Sequence, residues 1–341
     1  MTRSAHRRSW KATEQNRKLH QKTKLAIAIL IILILSLLFG KIAIFLKSFQ
    51  QPFSQEESTK NYTWNGKSNI NLIITGKTLA VLTYKKVEQE IFLIKIPPHS
   101  YLNLPQNLGS WPLSSVYDLG QSLKPPQGSY LLKTSVSNLM GIPIDGFVGK
   151  ENQTPVELLE SLRQNPLKTL TLVPTLKTDL SLPELISLST SLPQVRFDKV
   201  QTLDLEDLMI PAELPDGTLS LTGDSIKIDS LTNKLAEASF RKEGLTIAIY
   251  NGTSTVGLAG KAARMVTNLG GNVIILSSLE ENQAKSGVYL STADEKKLKL
   301  TETFKRLVQI FGLRATILPE ELRSSRAQIN VVLGEDFAQR F

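Results

Sequence analysis

No cysteine occurs anywhere in the 341 residues, and histidine occurs only three times. The first absence excludes disulfides as a source of stability and thiolate zinc sites as a source of structure. The second excludes a histidine-rich metal centre, because His6 and His20 lie near the N-terminus and His99 stands alone beyond them. A Ser-His-Asp hydrolase would have to be built on that one residue. Arginine is missing between Arg17 and Arg163, and between residues 69 and 150 the only aspartates are Asp118 and Asp145. Internal repeats and low-complexity stretches are absent as well.

What is present first is a long apolar run, residues 25–46, which carries one charge, Lys41. At about 1.5 Å per residue a helix of this length spans roughly 33 Å, enough for a hydrocarbon core of about 30 Å. The run has no polar face, as a globular core helix would, and no small-x-small cleavage site follows it. Residues 1–24 hold eight Arg or Lys against Glu14 alone, a bias that places the N-terminus in the cytoplasm. The expectation is a single-pass protein of the cell membrane with the bulk of the chain extracytoplasmic. The formal charge of +9 has the same origin: beyond residue 47, 30 basic residues face 30 acidic ones. The basicity is therefore a topology signal, and no nucleic acid partner is expected.

Residues 47–68 are polar and read as a linker. Strand-like runs follow at 70–74, 79–84 and 91–96, the last stopped by Pro97-Pro98, which cannot donate to a ladder. Apolar residues at helical spacing predict a helix over 129–140, ended by Gly141 and Pro143. A second helix starts at Thr154 with Pro155 in its first position. A strand at 167–173, a helix at 182–192 and a strand at 199–205 follow. Residues 211–243 read as a connector with a turn at Pro215-Asp216-Gly217 and a short helix at 229–240. A second unit, 244–341, shows a strand (245–250), a helix (257–269), two strands (272–276 and 287–290), a long helix (294–311) and a last strand (328–333). The fold class is α/β: an N-terminal transmembrane helix, an α/β/α sandwich domain over 69–210 and a smaller C-terminal α/β domain.

The stretch Ile247-Ala248-Ile249-Tyr250-Asn251-Gly252-Thr253, followed by Gly257-Leu258-Ala259, resembles the opening of a LytR C-terminal domain. The resemblance continues through Asn268-Leu269-Gly270-Gly271 and closes at Val332-Leu333-Gly334-Glu335-Asp336. Residues 69–210 resemble, less closely, a LytR-CpsA-Psr domain. They do so at Ile96-Pro97-Pro98-His99-Ser100-Tyr101 and at Leu139-Met140-Gly141-Ile142-Pro143-Ile144-Asp145. The resemblance implies an α/β domain that moves a glycopolymer from polyprenyl pyrophosphate onto peptidoglycan, with arginines on the pyrophosphate and aspartates on magnesium. This chain departs from that pattern. Pro98-His99 stands at the Arg-Asp step, and Thr75-Gly76-Lys77-Thr78-Leu79 replaces the acidic and arginine loop motifs. Lysine does not reproduce the bidentate guanidinium clamp, and magnesium needs carboxylates beside the phosphates.

The leading expectation is thus a non-catalytic binding or scaffold module of the cell envelope, with no catalytic residue, no metal and no cofactor. The alternative is a divergent magnesium-dependent phosphotransferase using Lys77 and His99. Its partners would be the membrane and peptidoglycan, a polyprenyl-linked glycan or other envelope proteins. Candidate ligand-binding residues are Lys77, His99, Asn251, Gly252, Thr253 and Gly257. The last four are either a structural turn, since Asn-Gly suits positive φ, or an anion site at the N-terminus of the helix that follows. Asp118 and Asp145 are a possible carboxylate pair, or Asp145 caps a turn. Lys296, Lys297, Lys299, Lys305 and Arg306 read as a solvated helix face.

Overall fold

The computed structural model describes residues 62–341, apart from 165–168, 170, 214–216, 218, 292–294, 313–321, 323 and 324. The basic tail, the apolar run at 25–46 and the linker up to residue 61 lie outside the described residues. Among the described residues no helix is long and apolar enough to cross a membrane.

The first three apolar runs fold as a meander, β1 (Ile70–Thr75), β2 (Leu79–Lys85) and β3 (Glu90–Ile96). Thr75 pairs with Leu79 and Lys85 with Glu90, so the turns between them are tight. A small hairpin, β4 (Tyr101–Leu104) and β5 (Gly109–Pro112), leads into α1 (Leu113–Ser122) and α2 (Gly128–Met140). The chain returns as β6 (Gly146–Gly149), parallel to β1, with Leu72 opposite Gly146 and Thr75 opposite Gly149. Then come α3 (Pro155–Gln164), the short β7 (Lys177–Thr178), α4 (Leu182–Ser191) and β8 (Val200–Asp204). The result is a six-stranded mixed sheet in the order β7-β6-β1-β2-β3-β8. Period-2 alternation sends Ile73, Val81 and Ile94 to one face, where they pack with Val116, Leu132 and Val136 of the first two helices. α3 lies against β1. Where the sequence predicts a strand at 167–173, Val173–Thr175 is a 3-10 turn instead.

Residues 211–243 are folded rather than a plain connector. β9 (Met209–Glu213) and β10 (Leu219–Gly223) form a hairpin, and α5 (Ser225–Thr232) is capped by the Asp224 carboxylate. After α6 (Ala238–Glu243) the second unit begins. Ile228, Leu231 and Leu235 enter the core under the large sheet, while Phe240 enters the core of the second unit. The end of the stretch read as linker is folded too. Trp64 is buried; its backbone N–H donates to Glu184 Oε1 at 2.6 Å and its indole to the Ser68 carbonyl at 3.0 Å.

The C-terminal unit runs β11 (Thr246–Asn251), α7 (Leu258–Asn268), β12 (Asn272–Ser278), β13 (Gly287–Leu290) and α8 (Glu295–Leu298). It closes with α9 (Glu302–Phe311), β14 (Ile329–Leu333) and α10 (Glu335–Ala338). Its sheet has the order β12-β11-β14-β13, with only β13 antiparallel to its neighbour. The single helix expected over 294–311 is two helices. Thr301 interrupts it because its hydroxyl accepts from the Phe304 N–H at 3.3 Å, the bond of an N-cap.

Candidate functional site

β1 and β6 run parallel and end together at Thr75 and Gly149. The carboxyl ends of such strands are where an α/β sheet leaves room for a ligand. A cavity of about 240 Å³ opens there. Its inner wall is apolar, formed by Leu79, Leu113, Leu132 and the stacked rings of Tyr117 and Phe147, whose centroids lie 5.2 Å apart. Lys77, Lys150 and Lys177 also line it, with Asp118 and Glu151. The Glu151 carboxylate is engaged by Lys177 Nζ at 2.8 Å, an exposed pair. Among the described residues neither Lys77 nor Lys150 has a carboxylate within ion-pair distance.

The turn carrying Lys77 is fixed by backbone contacts. The Lys77 N–H donates to the Gln153 carbonyl at 2.8 Å and the Lys150 N–H to the Thr75 carbonyl at 3.0 Å. Any side chain at position 76 would place its Cβ 1.9 Å from the Gln153 carbonyl oxygen, so the approach requires glycine. His99 is exposed in the turn after β3 and is not a lining residue, though its neighbour Pro98 is. The donors do not fit a magnesium ion. Asp118 is exposed, Glu151 is paired with Lys177, and Asp145 lies at the other end of β6, about 13 Å of strand away. Asp118 and Asp145 therefore do not form a pair. Among the described residues no group of three or more His, Asp or Glu could hold a metal ion.

The other predicted residues lie in the C-terminal unit, away from this cavity, and form a self-contained turn. Asn251 Oδ1 accepts from the Thr253 N–H and hydroxyl at 3.1 and 2.9 Å, and Asn251 Nδ2 donates to the Thr255 carbonyl at 2.9 Å. The Gly252 N–H donates to the Leu333 carbonyl at 2.9 Å, and Gly257 precedes α7 at φ +78°. Asn251 and Thr253 are thus occupied by their own loop.

Asp145 has a different set of partners. Arg306 of α9 grips it with both terminal nitrogens, at 2.8 and 2.9 Å, and donates Nε to Glu237 at 2.8 Å. The Tyr62 hydroxyl donates to the same carboxylate, and the Asn71 N–H donates to it at 2.9 Å. The side chains of Arg306, Asp145 and Glu237 are 2%, 3% and 6% exposed, so this is a buried ion triad. Burial pushes the Asp145 carboxyl up, but the Arg306 charge and the hydrogen bonds around it outweigh burial and hold it below the usual carboxylate range. For Glu237 burial wins and the carboxyl is raised. Arg306 was expected on a solvated face with the lysines of 296–305; those lysines are exposed and Arg306 is not.

The same seam has a second clamp. Arg264 of α7 donates Nε to both oxygens of Asp229, Nη1 to the Asn138 carbonyl and Nη2 to the Leu139 carbonyl, all within 3.0 Å. Asn268 donates to the Gly141 carbonyl at 3.0 Å. Gly141 is left-handed at φ +62°, and a Cβ there would meet the Asn268 and Arg264 side chains at 2.7–2.8 Å. The segment 139–145, which the sequence marks as a motif, is therefore where the second unit docks.

The boundaries of that unit coincide with a family match. Residues 244–337 match the family model LytR_C, described as LytR cell envelope-related transcriptional attenuator. This segment is a LytR_C domain. Its strand, Asn-Gly-Thr turn and closing strand are the elements described above, and the sequence resemblance over 244–338 is borne out. The rest of the chain lies outside the LytR_C domain match. Among solved structures, Bacillus subtilis TagT is 14% identical over 53% of this chain and 94% of that one, with a TM-score of 0.38. An Enterococcus faecalis transcriptional regulator is 14% identical over 51% and 89%, with a TM-score of 0.42. A LytR-CPS2A-psr family protein, YwtF (TagT), with bound octaprenyl pyrophosphate lipid gives 14%, 53%, 93% and 0.37. No curated protein matches the sequence.

Proposed function

We propose that the chain is a membrane-anchored, extracytoplasmic protein of the cell envelope that binds an amphiphilic anion without transforming it. The observation that carries this reading is the cavity at the end of β1 and β6, which joins a leucine and aromatic wall to Lys77 and Lys150; among the described residues neither has a carboxylate within ion-pair distance, and Glu157 acts on Lys77 only at longer range. Such a site suits a ligand with an apolar tail and a phosphate head, such as a polyprenyl-linked glycan. Lysine serves the phosphate as a point charge, where a transferase would gain from the rigid guanidinium fork. Of the two aspartates in the first domain's first half, Asp145 is held by Arg306 and leaves only Asp118 at the cavity. The apolar run at 25–46 and the charge bias before it support the anchor and the orientation.

Asp118, which lines the same cavity as Lys77, favours the second reading, a divergent phosphotransferase. One experiment tests both. Full-length protein in detergent is mixed with magnesium and a short-chain polyprenyl pyrophosphate glycan, and binding and phosphate release are followed separately. Binding that weakens in Lys77→Gln and Lys150→Gln, with no release, is the expected result. Release abolished by Asp118→Asn or His99→Ala overturns the binding reading and makes the protein an enzyme.

A further inference from the structure

Two cavities lie side by side along the seam between the large-sheet domain and the LytR_C domain, sharing Ser137, Asn138, Met265 and Phe341 as walls. The smaller one, about 130 Å³, has room for a phosphate or carboxylate group. Arg340 lines it, in the last turn after α10. Its Nη1 donates to the Ile310 carbonyl at 3.2 Å and its plane lies 5.0 Å from the Phe337 ring centroid. Among the described residues Arg340 has no carboxylate within ion-pair distance. Asp336, which acts on it electrostatically, is engaged by the Ser286 N–H and hydroxyl. Burial lowers the Arg340 pKa, against the opposing pull of Tyr130 and Asp336. Tyr130 and Thr134 line the same space, as do Asp145, whose carboxylate is held by Arg306, and Lys133, which is paired with Asp179.

The larger cavity, about 400 Å³, has a different lining. Tyr101, Asn103 and Ser110 come from the β4–β5 hairpin, Thr222 from β10 and Lys261 from α7. No acidic residue lines it. The Lys261 ammonium stands 4.6 Å from the centroid of the Phe341 ring and, among the described residues, has no carboxylate partner. Hydroxyls and amides that both donate and accept, set beside aromatic rings, are what a polyhydroxylated ring needs. A half-buried guanidinium at one end and, at the other, an ammonium with no carboxylate partner among the described residues select for negative charge.

We propose that this seam binds an anionic sugar, with its acid group on Arg340 and its ring along the larger, hydroxyl-lined cleft towards Lys261. The site is separate from the cavity at the end of β1 and β6 and does not rest on the reading of that cavity. Because its walls come from both domains, a bound sugar also ties them together.

The test is calorimetric titration of the full-length protein in detergent with N-acetylglucosamine 1-phosphate, glucuronate, inorganic phosphate and N-acetylglucosamine. Both charged sugars are expected to bind, at least about tenfold more tightly than the neutral sugar and than phosphate alone. Binding of one charged sugar and not the other identifies phosphate or carboxylate as the acid group. Arg340→Gln is expected to weaken binding at least about tenfold and Lys261→Gln about threefold, with Lys77→Gln unchanged. Lys261 is exposed, so its variant stays informative even if Arg340→Gln folds poorly. The proposal is overturned if neither charged sugar binds, if the neutral sugar or phosphate binds equally well, or if Lys261→Gln keeps full affinity. Loss of binding in Lys77→Gln would move the ligand to the other cavity and overturn it as well.

Discussion

Arg306 is a charged residue in an apolar stripe. On α9 it falls in the row that holds Thr303, Leu307 and Ile310, all buried, so its burial follows from the 3.6-residue period once the helix start is known. A single helix through 294–311 would set it with the lysines, because it hides the change of phase at Thr301. Removing Arg306 strands two buried carboxylates, and Arg306→Met should cost about 3–5 kcal/mol in denaturant unfolding. The two carboxylates should respond differently. Asp145, with a depressed pKa, contributes stability that is present above the ordinary carboxylate pKa of about 3.9 and is lost as pH falls through its folded value. Glu237, with a raised pKa, costs stability above its folded value and is relieved as pH falls through it. Melting temperatures at pH 7 should therefore fall far more for Asp145→Asn than for Glu237→Gln, and the Asp145→Asn penalty should shrink towards pH 3. Equal penalties at both pH values would show that charge is not what the triad contributes.

Strands were the legible elements. The runs at 70–74, 79–84 and 91–96 are bounded by turn residues and hydrophobic on both faces, which specifies a central meander whatever packs on it. The β4–β5 hairpin and α1 were not legible, since residues 101–122 are short, mixed in polarity and dependent on the core they cover. Among turns, the Asn251 loop owes its shape to one side chain. Asn251→Ala removes an acceptor for two groups and a donor to a third, and should destabilise the protein by about 1–3 kcal/mol in thermal or chemical unfolding. An unchanged melting temperature would point to a loop held by Gly252 and its sheet contacts alone. The tight turn after β1 gives a complementary case. Gly76→Ala drives a Cβ into the Gln153 carbonyl, so it should cost about 1–3 kcal/mol and weaken ligand binding at the lysine-rimmed cavity. Intact binding with intact stability would mean that the 150–153 loop yields freely.

At the scale of the molecule, sequence separated a large α/β domain from a smaller one but not their dependence on each other. Motif residues 139–145 were legible as a pattern, while their partners, Arg264, Asn268 and Arg306, lie more than a hundred residues away and only folding brings them together. The two domains should therefore fold as one. Residues 62–243 expressed without the LytR_C domain leave the Asp145 and Glu237 carboxylates buried or exposed without their cation. That fragment should be insoluble or melt well below the full chain, whereas a fragment as stable as the whole would show that the seam is dispensable. The triad has a further consequence at Tyr62, which joins it from outside. Its hydroxyl bonds both to Asp145 of the first domain and to Arg306 of the second. One hydroxyl thus closes the joint between the two domains, so Tyr62→Phe would loosen both at once.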